Sequence, residues 1–133
     1  EYSKGYFNIS FTGRYEVDKL PQLYESSDIV WAVYPNDDYN VKYAISNKFH
    51  ESLIYLKPCI YADNTELGNY IEKHHLGWTV NPYDIHAIKD LIIQISNNPN
   101  CLSDIIINLN NESSKSKTWD EDLQPIINYI NNI

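Results

Sequence analysis

A chain of 133 residues has room for one hydrophobic core, and a formal net charge of −8 excludes a nucleic-acid groove or a face for anionic membranes, since both need a basic surface. Any phosphate site must therefore be local. No apolar run approaches the ~20 residues of a membrane span and no basic-then-apolar leader opens the sequence, a pattern that predicts a soluble, cytoplasmic protein.

Residues 6–12 alternate apolar and polar side chains, with Phe7, Ile9 and Phe11 on one face, and predict a half-buried strand broken by Gly13. Asp18 can then cap a helix carrying Leu20, Leu23 and Tyr24, with Pro21 tolerated in its first turn and Ser26-Ser27 at its end. Residues 28–34 are nearly all apolar and read as a buried strand, stopped by Pro35 and the acidic loop Asn36-Asp37-Asp38. Strand, helix and strand in that order predict a right-handed crossover and a parallel sheet.

The next segment, 45–53, reads as a short loop turning into a helix. Phe49, Leu53 and Leu56 form its buried face, and Ser46 or Asn47 can cap it. Pro58 ends that helix, residues 59–62 form a third strand, and Asn64 can cap a helix near 65–74 that buries Leu67, Tyr70 and Ile71. Gly77 suits its left-handed terminus, ahead of a strand at 78–80. Asp84 caps a periodic helix with Ile85, Ile88, Ile92 and Ile95 on one stripe, running to the breaker Asn97-Asn98-Pro99. A further helix near 102–110 is apolar nearly all round, and a polar linker follows at 113–117. Thr118-Trp119-Asp120-Glu121 is a capping box opening a last helix, in which Pro125 predicts a kink and Ile126, Ile127 and Ile130 want a partner.

The chemistry concentrates at 45–53. A capped helix start leaves backbone N–H groups and the positive dipole end facing an anion, and Lys48 adds a full charge beside them. Lys48 and Glu51 are three residues apart and can point into one cleft, the ammonium toward a phosphate and the carboxylate toward hydroxyls; a plain surface ion pair is the alternative. Asp37-Asp38 reads as a solvated turn, His74-His75 as a helix end suited to the dipole, and Cys59 and Cys101 as free thiols without metal spacing. No nucleophile elbow or Walker loop occurs.

Four local matches in order, Phe11-Thr12-Gly13-Arg14-Tyr15, then 23–30, then 47–53 with Lys57-Pro58, then 76–82, resemble the latter part of the nucleotide-sugar-binding domain of a GT-B glycosyltransferase of the group 1 type. Trp119 opening a late helix also fits. The resemblance implies an α/β, Rossmann-like parallel sheet of about four strands over residues 1–112, with a linker and kinked helix over 113–133. It implies that Glu51 holds ribose hydroxyls, that Lys48, Ser46 and Asn47 approach the diphosphate, and that Gly13, Arg14 and Tyr15 border the base. Many members carry a second, sugar-reading glutamate eight residues before the first, where this chain has Tyr43. A nucleotide-diphosphate sugar is implied as donor, with no cofactor and no bound metal. A glycan or lipid-linked acceptor is implied through another domain, in surface polysaccharide synthesis at the cytoplasmic side of the inner membrane. The family's first two strand-helix units, with their basic diphosphate pair, have no counterpart here. The chain therefore reads as a fragment, inactive alone, with self-association through Ile126, Ile127 and Ile130 as an expectation. A nucleotide-sugar epimerase of the same fold and a noncatalytic flavodoxin-like module are the alternatives.

Overall fold

Strands built from β-branched, aromatic and small apolar residues pair in parallel at the centre of the structure, a computed structural model that describes residues 8–115 and 119–132. They are β1 (Val30–Ala32), β2 (Cys59–Ala62) and β3 (Trp78–Val80), in the order β1-β2-β3, with Val30 opposite Cys59 and Ile60 opposite Trp78. All of β2 is buried, as a central strand covered on both faces requires. A 3-10 turn at Val17–Lys19 leads into α1 (Leu20–Glu25), and α2 (Tyr39–Tyr43) and α3 (Asn47–Tyr55) lie between β1 and β2. After β2 come α4 (Glu66–His74), then β3, α5 (Ile85–Asn97), α6 (Asn100–Ser113) and α7 (Trp119–Asn131).

The alternation of side chains along the strands divides the core in two. On one face Ala32, Cys59 and Tyr61 pack with Phe49 and Leu53 of α3, Leu67 and Ile71 of α4, and Ile105 and Leu109 of α6. On the other, Ile60 and Val80 meet Ile95 of α5, flanked by Ile88 and Leu91. The chain is thus an α/β domain with a small open parallel sheet and helices on both faces.

Several expectations need correction. Residues 8–12 form no strand: Ile9 is 47% and Phe11 80% exposed, so among the described residues the sheet has three strands and not four. Alternation says which face a strand would bury, but the backbone N–H and C=O groups also need a neighbouring strand. Residues 6–7 of that expected strand lie outside the described residues. The strand expected as buried over 28–34 is a three-residue edge strand whose Trp31 is 47% exposed, because β1 pairs only with β2 among the described residues.

Other differences concern helix ends. Asp18 lies within the 3-10 turn and caps nothing, and α1 starts without a side-chain cap. Thr65, not Asn64, caps α4: its hydroxyl accepts from Gly68 N at 2.8 Å and donates to Ala62 O at 3.1 Å, while Asn64 sits at φ +53°. The left-handed end of α4 falls on His75 (φ +54°). Gly77 is needed for another reason, since a Cβ there would lie 2.4 Å from Cys59 O. Tyr70 stays partly exposed, its ring against Phe49 and its hydroxyl donating to Glu112. On α5 the buried stripe centres on Ile88, Leu91 and Ile95, leaving Ile85 and Ile92 exposed; at about 100° per residue those two sit together on its flank. The helix expected over 102–110 runs from Asn100 to Ser113. The cap predicted at Thr118 lies outside the described residues. Helix α7 continues through Pro125, and Ile126, Ile127 and Ile130 are exposed. Among the described residues no helix is long and apolar enough to cross a membrane.

Candidate functional site

Helix α3 positions the central pair of charges. Its N-cap is Ser46, whose hydroxyl accepts from Lys48 N at 3.2 Å, and Phe49, Ser52 and Leu53 anchor its inner face. The Ser52 hydroxyl donates to Lys57 O at 2.9 Å, and Leu56 closes the helix in the left-handed region at φ +50°. With that face fixed, Lys48 and Glu51 turn toward α1. The Lys48 ammonium donates to Glu51 Oε2 at 2.7 Å, and the Tyr24 hydroxyl donates to the same oxygen at 2.5 Å. Glu51 Oε1 has no protein partner among the described residues.

The Lys48–Glu51 ion pair of the alternative reading is present, and it is partly buried. The two side chains are 27% and 20% exposed, and Tyr24 is 4% exposed with its ring stacked on Tyr55 at 4.7 Å. Burial opposes the charge on Glu51. The hydrogen bonds from Lys48 and Tyr24 and the nearby ammonium outweigh it, holding the carboxyl below its ordinary range. Burial likewise opposes the charge on Lys48, and the bond and charge of Glu51 reverse that and raise it. Burial and the Glu51 carboxylate both push the Tyr24 phenol up, so it stays a donor.

Beside the pair lies a cleft of about 170 Å³ whose walls include Tyr15, Leu20, Leu23, Tyr24 and Lys48. Tyr15 is 46% exposed and presents its ring at the rim. Gly13 turns the chain at φ +70°, a backbone region that favours glycine. Gly13 and Arg14 are exposed and do not line the cleft, and Asn47 is exposed at the first position of α3. The structure therefore brings Lys48 and Tyr15 to one cleft and joins Glu51 to Lys48 and Tyr24, while Glu51 itself does not line the cleft. Ser46 faces a different pocket, across the first turn of α3. Tyr43, at the position of the second glutamate, is half exposed and packs its ring against Tyr39 at 4.8 Å.

Two features escaped the sequence. The sequence places Tyr24 on its helix beside Leu20 and Leu23, but its hydroxyl meets a carboxylate 27 residues away, which no local spacing encodes. The sequence assigns no element to 39–43, where the structure has helix α2. Its signal was Asp38, whose Oδ1 accepts from Asn40 N at 2.8 Å and Val41 N at 3.2 Å in the manner of an N-cap. Asp37, the other acid of that turn, accepts from the Tyr83 hydroxyl. Asn36 ties the strand ends together, its amide donating to Asp63 O at 3.1 Å and Oδ1 at 3.0 Å. Among the described residues no three His, Cys, Asp or Glu side chains come together in a metal-binding group.

The fold and site define an α/β domain with a pocket of about 290 Å³ at the carboxyl ends of β1 and β2, where open parallel sheets collect ligands, and a smaller cleft between α1, the first residue of β1 and Lys48 of α3. Comparison with protein-family models, with curated proteins and with solved structures finds no match.

Proposed function

We propose that this chain is the donor-binding part of a GT-B, group 1 type glycosyltransferase, which transfers a sugar from a nucleotide diphosphate to a glycan or lipid-linked acceptor in surface polysaccharide synthesis. The observation that carries the reading is the state of Glu51. Two donors on one oxygen keep its carboxylate charged and fix its orientation, and the other oxygen is left for a ligand hydroxyl. A ribose diol suits that acceptor. Lys48 and the amides at the start of α3 supply the positive end for a diphosphate, and Tyr15 supplies a ring at the rim of the neighbouring cleft for a base. The acceptor and the rest of the catalytic apparatus belong to a second domain in this proposal.

Calorimetric titration with UDP, GDP and inorganic phosphate, repeated on Glu51→Ala, tests the reading. One nucleoside diphosphate should bind. Loss of a hydrogen bond to a charged group, about 1.5–3 kcal/mol, predicts roughly 10- to 100-fold weaker binding by the variant. Equal affinity in the two proteins overturns the assignment of Glu51, and no nucleotide binding by this chain or by a longer protein containing it overturns the function.

A further inference from the structure

The pocket on the far side of the α3 first turn has an unusual lining for a site that handles sugars. It has a volume of about 290 Å³ and opens at the carboxyl ends of β1 and β2, with walls built mainly from Ala32, Val41, Ala44, Ile45, Ala62 and Leu67. Two of its polar side chains are already engaged: the Ser46 hydroxyl accepts from Lys48 N, and the Thr65 hydroxyl bonds Ala62 O and Gly68 N. The Asn40 amide and the Tyr34 and Tyr61 hydroxyls remain without a protein partner among the described residues, Tyr61 being buried at 2% exposure. No carboxylate lines the pocket.

Its position follows from the same helix. Ser46 stands in this wall and Lys48 in the wall of the Tyr15 cleft, so a diphosphate at the start of α3 would have one pocket on each side. Tyr34, which also lines this pocket, lies near enough to Lys48 to act on its charge. The volume is at the low end of the roughly 300–1,000 Å³ usual for ligand pockets, a size for one sugar ring rather than an oligosaccharide.

Building on the donor-binding reading above, we propose that this pocket receives the transferred sugar and selects one carrying a methyl-bearing substituent, as an N-acetylhexosamine or a 6-deoxyhexose does. A plain hexose presents hydroxyl groups around its ring, and each one buried without a partner loses its hydration uncompensated. Three open polar side chains, one of them the buried Tyr61 hydroxyl, cannot satisfy them all. A methyl group against Val41, Ala44 and Leu67 needs no partner and removes apolar surface from water.

The test compares nucleotide sugars that share one base, so that base preference cancels. For the nucleoside diphosphate that binds, calorimetry is run with that diphosphate alone and with its plain hexose, N-acetylhexosamine and 6-deoxyhexose forms. The same series is run on Val41→Asp, a partly exposed wall position on α2 away from Glu51. At least one methyl-bearing form should bind about tenfold tighter than the plain hexose form, the scale of one methyl group in an apolar pocket. The two methyl-bearing arms identify which substituent is read. Val41→Asp should erase that preference, and any weakening of the diphosphate itself by the added charge cancels because each sugar form is compared with the diphosphate alone in the same protein. Diphosphate binding with no preference for a methyl-bearing sugar, or a preference untouched by Val41→Asp, overturns this inference while the donor-site reading stands. Absence of any nucleotide binding overturns both.

Discussion

Replacing Tyr24 with Phe removes one hydroxyl and isolates its bond to Glu51. The ring stacking on Tyr55 is kept, and Glu51 retains Lys48, so no charge is orphaned. A hydrogen bond to a charged group contributes about 1.5–3 kcal/mol, and the lower end applies because the Glu51 side chain keeps 20% exposure and Phe regains some apolar burial. We expect a loss of about 1.5 kcal/mol in urea unfolding at neutral pH. Lys48→Ala should cost less, about 0.5–1 kcal/mol, because that ion pair is partly solvated. A double-mutant cycle of Tyr24→Phe with Glu51→Gln should return a coupling of about 1 kcal/mol. The sign with pH follows from the lowered carboxyl of Glu51: its contribution is present above the ordinary carboxylate value and is lost as pH falls through the lower native value. Tyr24→Phe should therefore cost less in acid than at neutrality. A variant as stable as the parent at neutral pH, or a coupling indistinguishable from zero, would refute the account of the carboxylate as held by two donors.

The remaining predictions concern the scaffold. Gly77→Ala should destabilise by about 2–3 kcal/mol in urea unfolding, because a Cβ placed 2.4 Å from the Cys59 carbonyl must displace backbone rather than a flexible side chain; a neutral effect would show that β2 can yield there. Burial pushes the Cys59 thiol up to about 12, so with a thiol-specific reagent at neutral pH Cys101 should react first and Cys59 only as the protein unfolds; prompt reaction of both would contradict the packing of β2. Leu109→Ala, at a position 0% exposed on α6, should cost about 2–5 kcal/mol in the same unfolding assay, and a loss under about 1 kcal/mol would mean that α6 does not seal that face of the sheet.

What the sequence revealed was whatever depends on neighbours along the chain. The apolar run at Cys59–Ala62, the spacing of Phe49 and Leu53, and the caps at Ser46 and Asp84 each announce their element locally, and the structure contains all of them. Lys48 and Glu51 were readable as a pair for the same reason, one helical turn setting their separation. Pairing across the fold was not readable. Phe11 alternates like a strand residue yet stands 80% exposed, because a strand is completed by a partner that its own pattern does not specify. Gly77 was legible as a special residue but not for its true cause, since the Cys59 carbonyl that crowds it comes from a neighbouring strand. Tyr24 belongs to the same class, with its place beside Leu20 and Leu23 visible and a carboxylate partner that is not.

Both donors to Glu51 end on a single oxygen, and one of them is the ammonium that the proposed diphosphate would also claim. On the proposed function, ligand entry would be an exchange: Lys48 would leave the carboxylate for phosphate, and the carboxylate would recover that bond from a hydroxyl on the same ligand. The two halves of such a ligand should not act independently. Inorganic phosphate alone would take Lys48 and leave Glu51 only the Tyr24 donor, and a nucleoside alone would gain only the open Oε1, so the affinity of the joined molecule should exceed what the separate pieces and their linkage predict. Discrimination of that kind would let an acidic protein take up a polyphosphate ester while ignoring the free phosphate around it.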